Sequence, residues 1–182
     1  MHASDPHHRA EAHTLRRRIR ILLWIFIIGL VLSGVTAFPI QTEITWLTRL
    51  LGAAPGDAPE SHGLLLRWLL TVQEGVVQTN RAYPFLAYGT DWLAFAHLVI
   101  ALLFIGPLRD PVRNEWVVAW GMMACVGVVP LALIAGSIRE IPFWWRLVDC
   151  SFGVFGIIPL WIARRWIRRL ALLDPRFLTS AG

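Results

Sequence analysis

Charged residues are scarce in this chain of 182 residues, and lysine is absent altogether. Only 16% of the residues are charged, whereas roughly 25% is usual for a soluble domain. Together with 56% hydrophobic residues, this shortage excludes a disordered chain and an ordinary water-soluble domain. All 17 basic residues are arginine. The absence of lysine is most simply a codon preference, and we predict no nucleic-acid partner.

Cysteine is also rare, with Cys125 and Cys150 as the only two. They form no CxxC pair, which excludes a thiol oxidoreductase with paired cysteines. Their predicted depths in the membrane differ too much for a disulfide, so we expect two structural thiols. The GxSxG, HExxH, Walker and dinucleotide-binding motifs are also missing. The sequence therefore predicts no catalytic residue.

Long apolar segments are what the chain has in abundance, and its mean hydropathy is +0.56. A helix that crosses a bilayer takes about 20 residues. Four segments are long and apolar enough, and we predict an all-α integral membrane protein with four transmembrane helices at 19–38, 92–108, 116–138 and 147–163. The polar residues 1–18 are predicted to be a disordered cytoplasmic tail.

The arginines are distributed unevenly between the two sides of these helices. With the N-terminus inside, twelve of the 17 arginines fall in the internal segments 1–20, 108–115 and 164–182. Internal loops of membrane proteins carry the excess of positive charge. We therefore predict that both termini lie in the cytoplasm and that segment 39–91 lies on the periplasmic or outer side.

Segment 39–91 is the only sizeable part between the predicted spans. It is expected to form a helical outer cap, with a short helix at 43–51 and an amphipathic helix at 64–77. A Gly/Pro/Ala turn region separates the two helices. The segment ends in an interfacial aromatic cluster formed by Tyr83, Phe85, Tyr88 and Trp92.

Small residues form a stripe on each predicted span, where membrane helices usually approach one another. The stripes contain Gly29, Ser33 and Thr36 in the first span, Thr90, Ala94, His97 and Ala101 in the second, Gly121, Cys125, Ala132, Gly136 and Arg139 in the third, and Asp149, Gly153 and Gly156 in the fourth. His97, Arg139 and Asp149 therefore fall on such stripes. Their estimated depths predict an outer polar cluster formed by Asp91, His97, Arg139, Glu140, Arg146 and Asp149. One interpretation is a structural network in which Arg139 or Arg146 pairs with Asp149. The other is a pocket for a ligand, a proton or a lipid headgroup, with His97 as the titratable group.

The remaining polar residues and the aromatic residues indicate which cofactors and lipids the protein could bind. A bis-histidine haem needs two inward histidines, and His97 is the only one within a span, which argues against haem. The N-terminal histidines His2, His7, His8 and His13 are irregularly spaced, and we predict no metal site. A bound lipid or pigment is compatible with the aromatic-rich spans. We predict that residues 164–182 form a basic amphipathic cytoplasmic tail. It would contact anionic headgroups through Arg164, Arg165, Arg168 and Arg169.

Three segments carry a resemblance to other proteins: YPFLAYGTDWLAFAH (83–97), GPLRDPVRN (106–114) and IPFWWRLVDCSFGVFGIIPLW (141–161). They resemble an uncharacterised group of bacterial four-span inner-membrane proteins. The resemblance covers about residues 20 to 170. It implies the same topology and a multi-pass location in the bacterial inner (plasma) membrane, and it implies no activity.

The functional hypothesis is a non-catalytic accessory, scaffold or assembly subunit of a larger membrane complex. It depends on the missing enzyme motifs and on the ten tryptophans and nine phenylalanines, which provide large lateral surfaces for membrane lipids and partner subunits. A membrane enzyme or ligand-binding protein that uses the outer polar cluster is one alternative. A small oligomeric transporter is the other, although the inner halves of the spans offer few polar residues.

Overall fold

The fold is all-helical in the part of the chain that the computed structural model describes, residues 6–54 and 56–173. Two 3-10 turns, Pro59–Ser61 and Pro84–Leu86, precede α3 and α4 respectively. The helices are α1 (Pro6–Ala37), α2 (Ile40–Leu50), α3 (Leu64–Ala82), α4 (Ala87–Leu103), α5 (Ile105–Arg109), α6 (Glu115–Ile138) and α7 (Phe143–Leu173).

Four helical segments are long and apolar enough to cross a membrane, which confirms the predicted number of spans. They are His7–Ala37, Pro84–Arg109, Glu115–Ile138 and Phe143–Leu173. The first and the last contain 31 residues each, and at 1.5 Å per residue each is about 46 Å long. Because a hydrocarbon core is about 30 Å thick, both helices exceed the length needed for one crossing.

The N-terminal segment differs from the prediction of a disordered tail, because α1 already begins at Pro6. Residues 1–5 of that tail lie outside the described residues. Leu15, Ile19, Leu23 and Ile27 are all buried at a spacing of four residues. This apolar stripe begins before the hydrophobic segment and continues through it, so the polar residues around it are part of a packed helix.

The basic segment near the C-terminus continues α7 without a break as far as Leu173. Its apolar positions Ile167 and Leu170 are buried, in line with Ala163 and Leu160, which lie one and two turns before Ile167. Residues 164–173 therefore turn their apolar side towards protein. Residues 174–182 of the predicted tail lie outside the part of the chain that is described.

The chain forms two compact units, and the first combines residues up to 29 with residues from 101 onwards. Within it, α6 and α7 run antiparallel, because Gly121 faces Leu160 and Cys125 faces both Gly153 and Gly156. These contacts confirm the small-residue stripes that we predicted for the third and fourth spans. Cys125 and Cys150 are both free thiols.

The N-terminal part of α1 packs antiparallel along α7 in the same unit. The Arg18 guanidinium lies 5.9 Å from the centre of the Trp166 ring, and the Phe26 ring approaches Gly156. Phe26 also packs on Phe104, with ring centres 4.8 Å apart. Phe104 is completely buried, and it forms the centre of this unit.

The second unit comprises residues 30–100. In it α1 and α4 approach each other at Gly34, where an added Cβ would lie 2.9 Å from the Ala94 carbonyl oxygen. We predicted the approach on the stripe that contains Gly29, but an added Cβ there would meet no atom within 4 Å. The two glycines lie on different faces of α1, and the small-residue pattern alone does not distinguish the faces.

The predicted cap helices correspond to α2 and α3, and polar side chains join them. Asn80 donates to the Gln41 side-chain oxygen at 2.9 Å. Thr48, which is buried, donates to the Gln73 side-chain oxygen at 2.9 Å, and the Gln73 amide donates to Thr45 at 3.1 Å. Hydrogen bonds between amide and hydroxyl side chains therefore join α2 to α3. Because hydrogen bonds are directional, they also restrict how the two helices are positioned against each other.

Candidate functional site

The six residues of the predicted outer polar cluster are divided between the two units. Asp91 and His97 belong to the second unit, whereas Arg139, Glu140, Arg146 and Asp149 belong to the first. Among the residues described, no ion pair joins Asp149 to Arg139 or to Arg146. The convergence of all six residues at one membrane depth stays a prediction.

His97 is bound to its own helix. Its Nδ1 lies 2.8 Å from the carbonyl oxygen of Leu93, one turn earlier. A carbonyl oxygen only accepts hydrogen bonds, so Nδ1 is the donor in this contact. The Cβ of His97 also faces Gly34 of α1. His97 therefore takes part in the packing of α4 on α1.

Arg146 is fixed against α6 rather than against a carboxylate. Its Nη1 lies 3.4 Å from the Leu133 carbonyl oxygen, and its guanidinium lies 5.3 Å from the centre of the Phe143 ring. Its aliphatic part crosses Gly136, where an added Cβ would meet Cδ at 2.6 Å. The buried Nε finds no hydrogen-bond partner among the described residues. Arg146 thus fastens the start of α7 to the end of α6.

Arg139 and Glu140 form the C-terminal cap of α6. The Ile141 N–H donates to the Gly136 carbonyl at 2.9 Å, and the Glu140 N–H donates to the Ser137 carbonyl at 3.2 Å. This is the hydrogen-bond pattern of a Schellman turn, which places one residue in the left-handed region. Here that residue is Glu140, at φ 58°. Its position in the turn gives Glu140 a structural role that the sequence did not suggest.

Three of the four arginines predicted to contact lipid headgroups have carboxylate partners within the first unit. The Nε atoms of Arg164 and Arg168 donate to the same Glu115 oxygen, at 2.8 and 2.9 Å. Arg169 pairs with Glu11 of α1. The fourth, Arg165, lies 5.8 Å from the centre of the Trp161 ring, on its own helix. Contact of these arginines with anionic headgroups stays a prediction.

A cavity of 630 Å³ lies between α2, α3 and the loop that joins them. Two cations, Arg49 and Arg81, and two carboxylates, Asp57 and Glu74, line it together with Thr45, Thr48 and Gln73. This volume is typical of small-molecule pockets. We did not predict the cavity, although polar side chains at helical spacing on both cap helices were the available signal.

Asp57 organises the loop beside this cavity. Its Oδ2 accepts a hydrogen bond from the Ala54 N–H at 2.7 Å and lies 3.0 Å from the His62 Nε2. The hydrogen bond from the Ala54 N–H lowers the pKa of Asp57 below its ordinary value, desolvation raises it by less, and His62 adds smaller lowering contributions. Asp57 therefore connects Ala54 and His62 across this loop.

Asp91 lies in a separate aromatic pocket of 250 Å³ within the second unit. The other residues of this pocket are Phe38, Tyr88, Trp92 and Phe95. The rings of Tyr88 and Trp92 are 5.9 Å apart at 82°, and those of Trp92 and Phe95 are 6.0 Å apart at 86°. The sequence indicated an interfacial aromatic cluster here, but not that Phe38 and Asp91 would complete it.

The described residues contain no group of three histidine, cysteine or acidic side chains that could hold a metal ion. The α2–α3 cavity and the aromatic pocket around Asp91 are two places with room for a ligand, and a third, of 350 Å³, lies between α1 and α7 beside Arg18 and Trp166. Comparison of the chain with protein families, with curated proteins and with solved structures finds no match.

Proposed function

We propose that this protein is a non-catalytic accessory, scaffold or assembly subunit of a larger membrane complex. The four membrane-length helices would anchor it, and the α2–α3 pair would contact the partner subunit. The arginine distribution and the resemblance noted above support a bacterial inner membrane, with both termini in the cytoplasm and the α2–α3 pair on the periplasmic side.

The observation that carries this proposal is an exposed apolar face on α2, outside the four membrane-length segments. Trp46 and Leu50, one turn apart, are 70% and 69% exposed, and Leu47 and Leu51 lie beside them with about two fifths of their surface exposed. A large exposed apolar patch on an ordered helix marks an interaction surface. Tryptophan is also enriched at the energetic centres of protein interfaces.

The charge of α2 favours a protein partner over the lipid surface. Helices that lie in a membrane interface usually carry several basic residues on the polar face. The only basic residue of α2 is Arg49, and the carboxylate Glu43 lies one turn before Trp46 and Leu47, on the apolar side. A carboxylate there would be repelled by anionic headgroups, whereas a protein partner can offer it a cation.

We expect the substitutions Trp46→Ala and Leu50→Ala to release the partner without unfolding the chain. Truncating the central residue of an interface costs about 2 kcal/mol, which is roughly a thirtyfold loss of affinity. The measurement is photocrosslinking in native membranes with benzoylphenylalanine at position 50, together with the amount of the crosslinked polypeptide that copurifies with each variant. We expect one crosslinked product of defined mass, and a matching loss from the Trp46→Ala purification.

Trp24→Ala is the matched control, because Trp24 is also exposed but lies within a membrane-length helix. It should leave copurification unchanged. Crosslinks to lipid alone at position 50, or equal losses from Trp46→Ala and Trp24→Ala, would reject the proposed subunit role.

A second candidate function, binding of a small anionic solute, is favoured by the α2–α3 cavity. Arg49 and Arg81 both line it. Within the residues described, neither guanidinium has a hydrogen-bond or ion-pair partner. The two carboxylates of the cavity are already engaged, since Asp57 accepts from Ala54 and Glu74 accepts from Gln78. An arginine guanidinium without a protein partner can bind a carboxylate or a phosphate group through charge-assisted hydrogen bonds.

Calorimetric titration of the purified protein with inorganic phosphate and with acetate tests this second function. We expect saturable binding that weakens about tenfold in Arg49→Gln and in Arg81→Gln, since one charge-assisted hydrogen bond contributes about 1.5–3 kcal/mol. Arg67→Gln is the control, because Arg67 donates to the Glu60 carbonyl and does not line the cavity. Binding that is absent, or equally weakened by all three substitutions, would exclude an anion site here.

A further inference from the structure

The aromatic pocket around Asp91 has the composition of a cation-binding site. We propose that it binds the ammonium group of an amine-bearing membrane lipid such as phosphatidylethanolamine. This proposal is independent of the subunit role and of the α2–α3 cavity. Three features support it: the arrangement of the rings, the lack of a partner for the Asp91 carboxylate among the described residues, and the position of the pocket along the helices.

The rings line an open pocket and are steeply inclined to one another instead of stacked. Tyr88, Trp92 and Phe95 follow one another along α4 at spacings of four and three residues, so they lie on one face of the helix. Adjacent rings are nearly perpendicular, at 82° and 86°. Phe38, immediately after the last residue of α1, closes the pocket from a second element. An ammonium group binds favourably against the faces of such rings, and best against tryptophan.

The carboxylate of Asp91 supplies the opposite charge. It is half-buried, and no hydrogen-bond or ion-pair partner for it exists among the residues described. A carboxylate in a predominantly apolar helical segment is costly unless a cation or a donor compensates it. None of the other four pocket residues is charged. A cation from outside the chain is therefore the natural partner.

The place of the pocket indicates a lipid as the source of that cation. Phe38 lies next to the end of the first membrane-length segment, and Tyr88 to Phe95 belong to the first half of the second, Pro84–Arg109. Aromatic residues at the ends of membrane helices lie at the level of the headgroups. At that depth the ammonium groups of zwitterionic lipids surround the protein.

An ordinary aromatic belt does not account for this arrangement. Tryptophan and tyrosine at an interface need only lie between the apolar core and the water. A belt does not require a carboxylate, and anionic phosphate groups nearby would repel one. The position of Asp91 beside these aromatic rings is explained when the carboxylate and the rings bind the same ammonium group.

The test is native mass spectrometry of the full chain in maltoside micelles, which contain no cationic headgroup. The chain is titrated with dioleoyl phosphatidylethanolamine, and with dioleoyl phosphatidylglycerol, which has the same acyl chains but no ammonium group. We expect tighter binding of phosphatidylethanolamine by about tenfold or more. Asp91→Asn and Trp92→Leu should each remove most of this preference.

Two control variants make the same kinds of change, loss of a carboxylate and loss of a tryptophan, outside the pocket. Glu60→Gln removes a carboxylate and Trp24→Leu removes an exposed tryptophan, and neither residue lines the pocket. Both should retain the preference for phosphatidylethanolamine. Thermal melting of all four variants checks that each is folded. Because the pocket rings are exposed, we expect Trp92→Leu to melt within a few degrees of the unchanged protein.

Three results would overturn the proposal. Equal binding of the two lipids would show that the ammonium group is not recognised. A preference that survives both Asp91→Asn and Trp92→Leu would place the lipid elsewhere. If free ethanolamine displaces the lipid at concentrations similar to those of the lipid itself, the ligand is a soluble amine and the lipid assignment is wrong.

Discussion

Replacing Gly153 with alanine is expected to destabilise the first unit by about 2 kcal/mol, although the change adds only one methyl group. Gly153 is buried where α7 crosses α6. An added Cβ would lie 2.5 Å from the carbonyl oxygen of Cys125. That oxygen belongs to the helix backbone and cannot rotate away, so the two helices must separate. Their close approach provides much of the packing that holds membrane helices together.

Gly127→Ala is the matched control for this change. Gly127 lies in α6, two residues after Cys125 and on nearly the opposite face of the helix, and an added Cβ there would meet no atom within 4 Å. Alanine is the better helix former, so this variant should be neutral or more stable by up to about 1 kcal/mol. The measurement is the free energy of unfolding in mixed dodecyl sulfate and maltoside micelles. Equal effects of the two substitutions would show that α6 and α7 do not meet at Gly153.

Phe104→Ala is expected to have the larger effect, about 3 kcal/mol, because it empties the centre of the first unit. The Phe104 side chain is completely buried. Its ring packs on Phe26 and lies so close to Gly121 that an added Cβ would be 2.7 Å from its Cζ. Since lipid is as apolar as the protein interior, the loss arises from packing rather than from transfer to water. Phe155→Ala, on the exposed face of α7, should change stability by less than about 0.5 kcal/mol.

A second substitution tests the position of the Phe104 ring directly. Gly121→Ala alone should be destabilising, because its methyl group would overlap that ring. In the Phe104→Ala background the ring is absent, so the same substitution should be neutral or restore part of the stability. We expect a coupling energy of about 1–3 kcal/mol between the two positions. Additive effects would mean that the two residues do not touch.

The membrane helices could be predicted from local composition. Four segments have the length and hydropathy of spans, and the stripe of Gly121, Cys125, Gly153 and Gly156 correctly indicated where α6 and α7 meet. The N-terminal end of α1 and the C-terminal end of α7 were harder to predict from the sequence. In both segments the apolar stripe continues between charged residues, which lower the mean hydropathy. The buried Leu15 and Ile167 lie in such segments, and their spacing from Ile19 and Leu160 was the signal that would have extended both helices.

The candidate sites were harder to predict than the helices. Asp91 was predicted to belong to the outer polar cluster and Trp92 to an interfacial aromatic cluster, whereas the pocket combines both with Phe38 from another part of the chain. For Glu140 the local sequence favours an exposed charged loop, whereas the backbone requires the left-handed residue of a cap. The role of Asp91 depends on a residue that is distant in the sequence, and the role of Glu140 depends on a backbone angle.

The sequence by itself determined that this chain is helical, that it has four membrane-length segments and that its arginines are concentrated near one set of helix ends. These properties depend on the composition of continuous segments. Only the tertiary structure decided which side chains meet. Glu115 takes Arg164 and Arg168 as partners across 49 and 53 residues, and Gln73 reaches Thr48 across 25. Such pairs depend on the register between packed helices, which is set by contacts along their whole length.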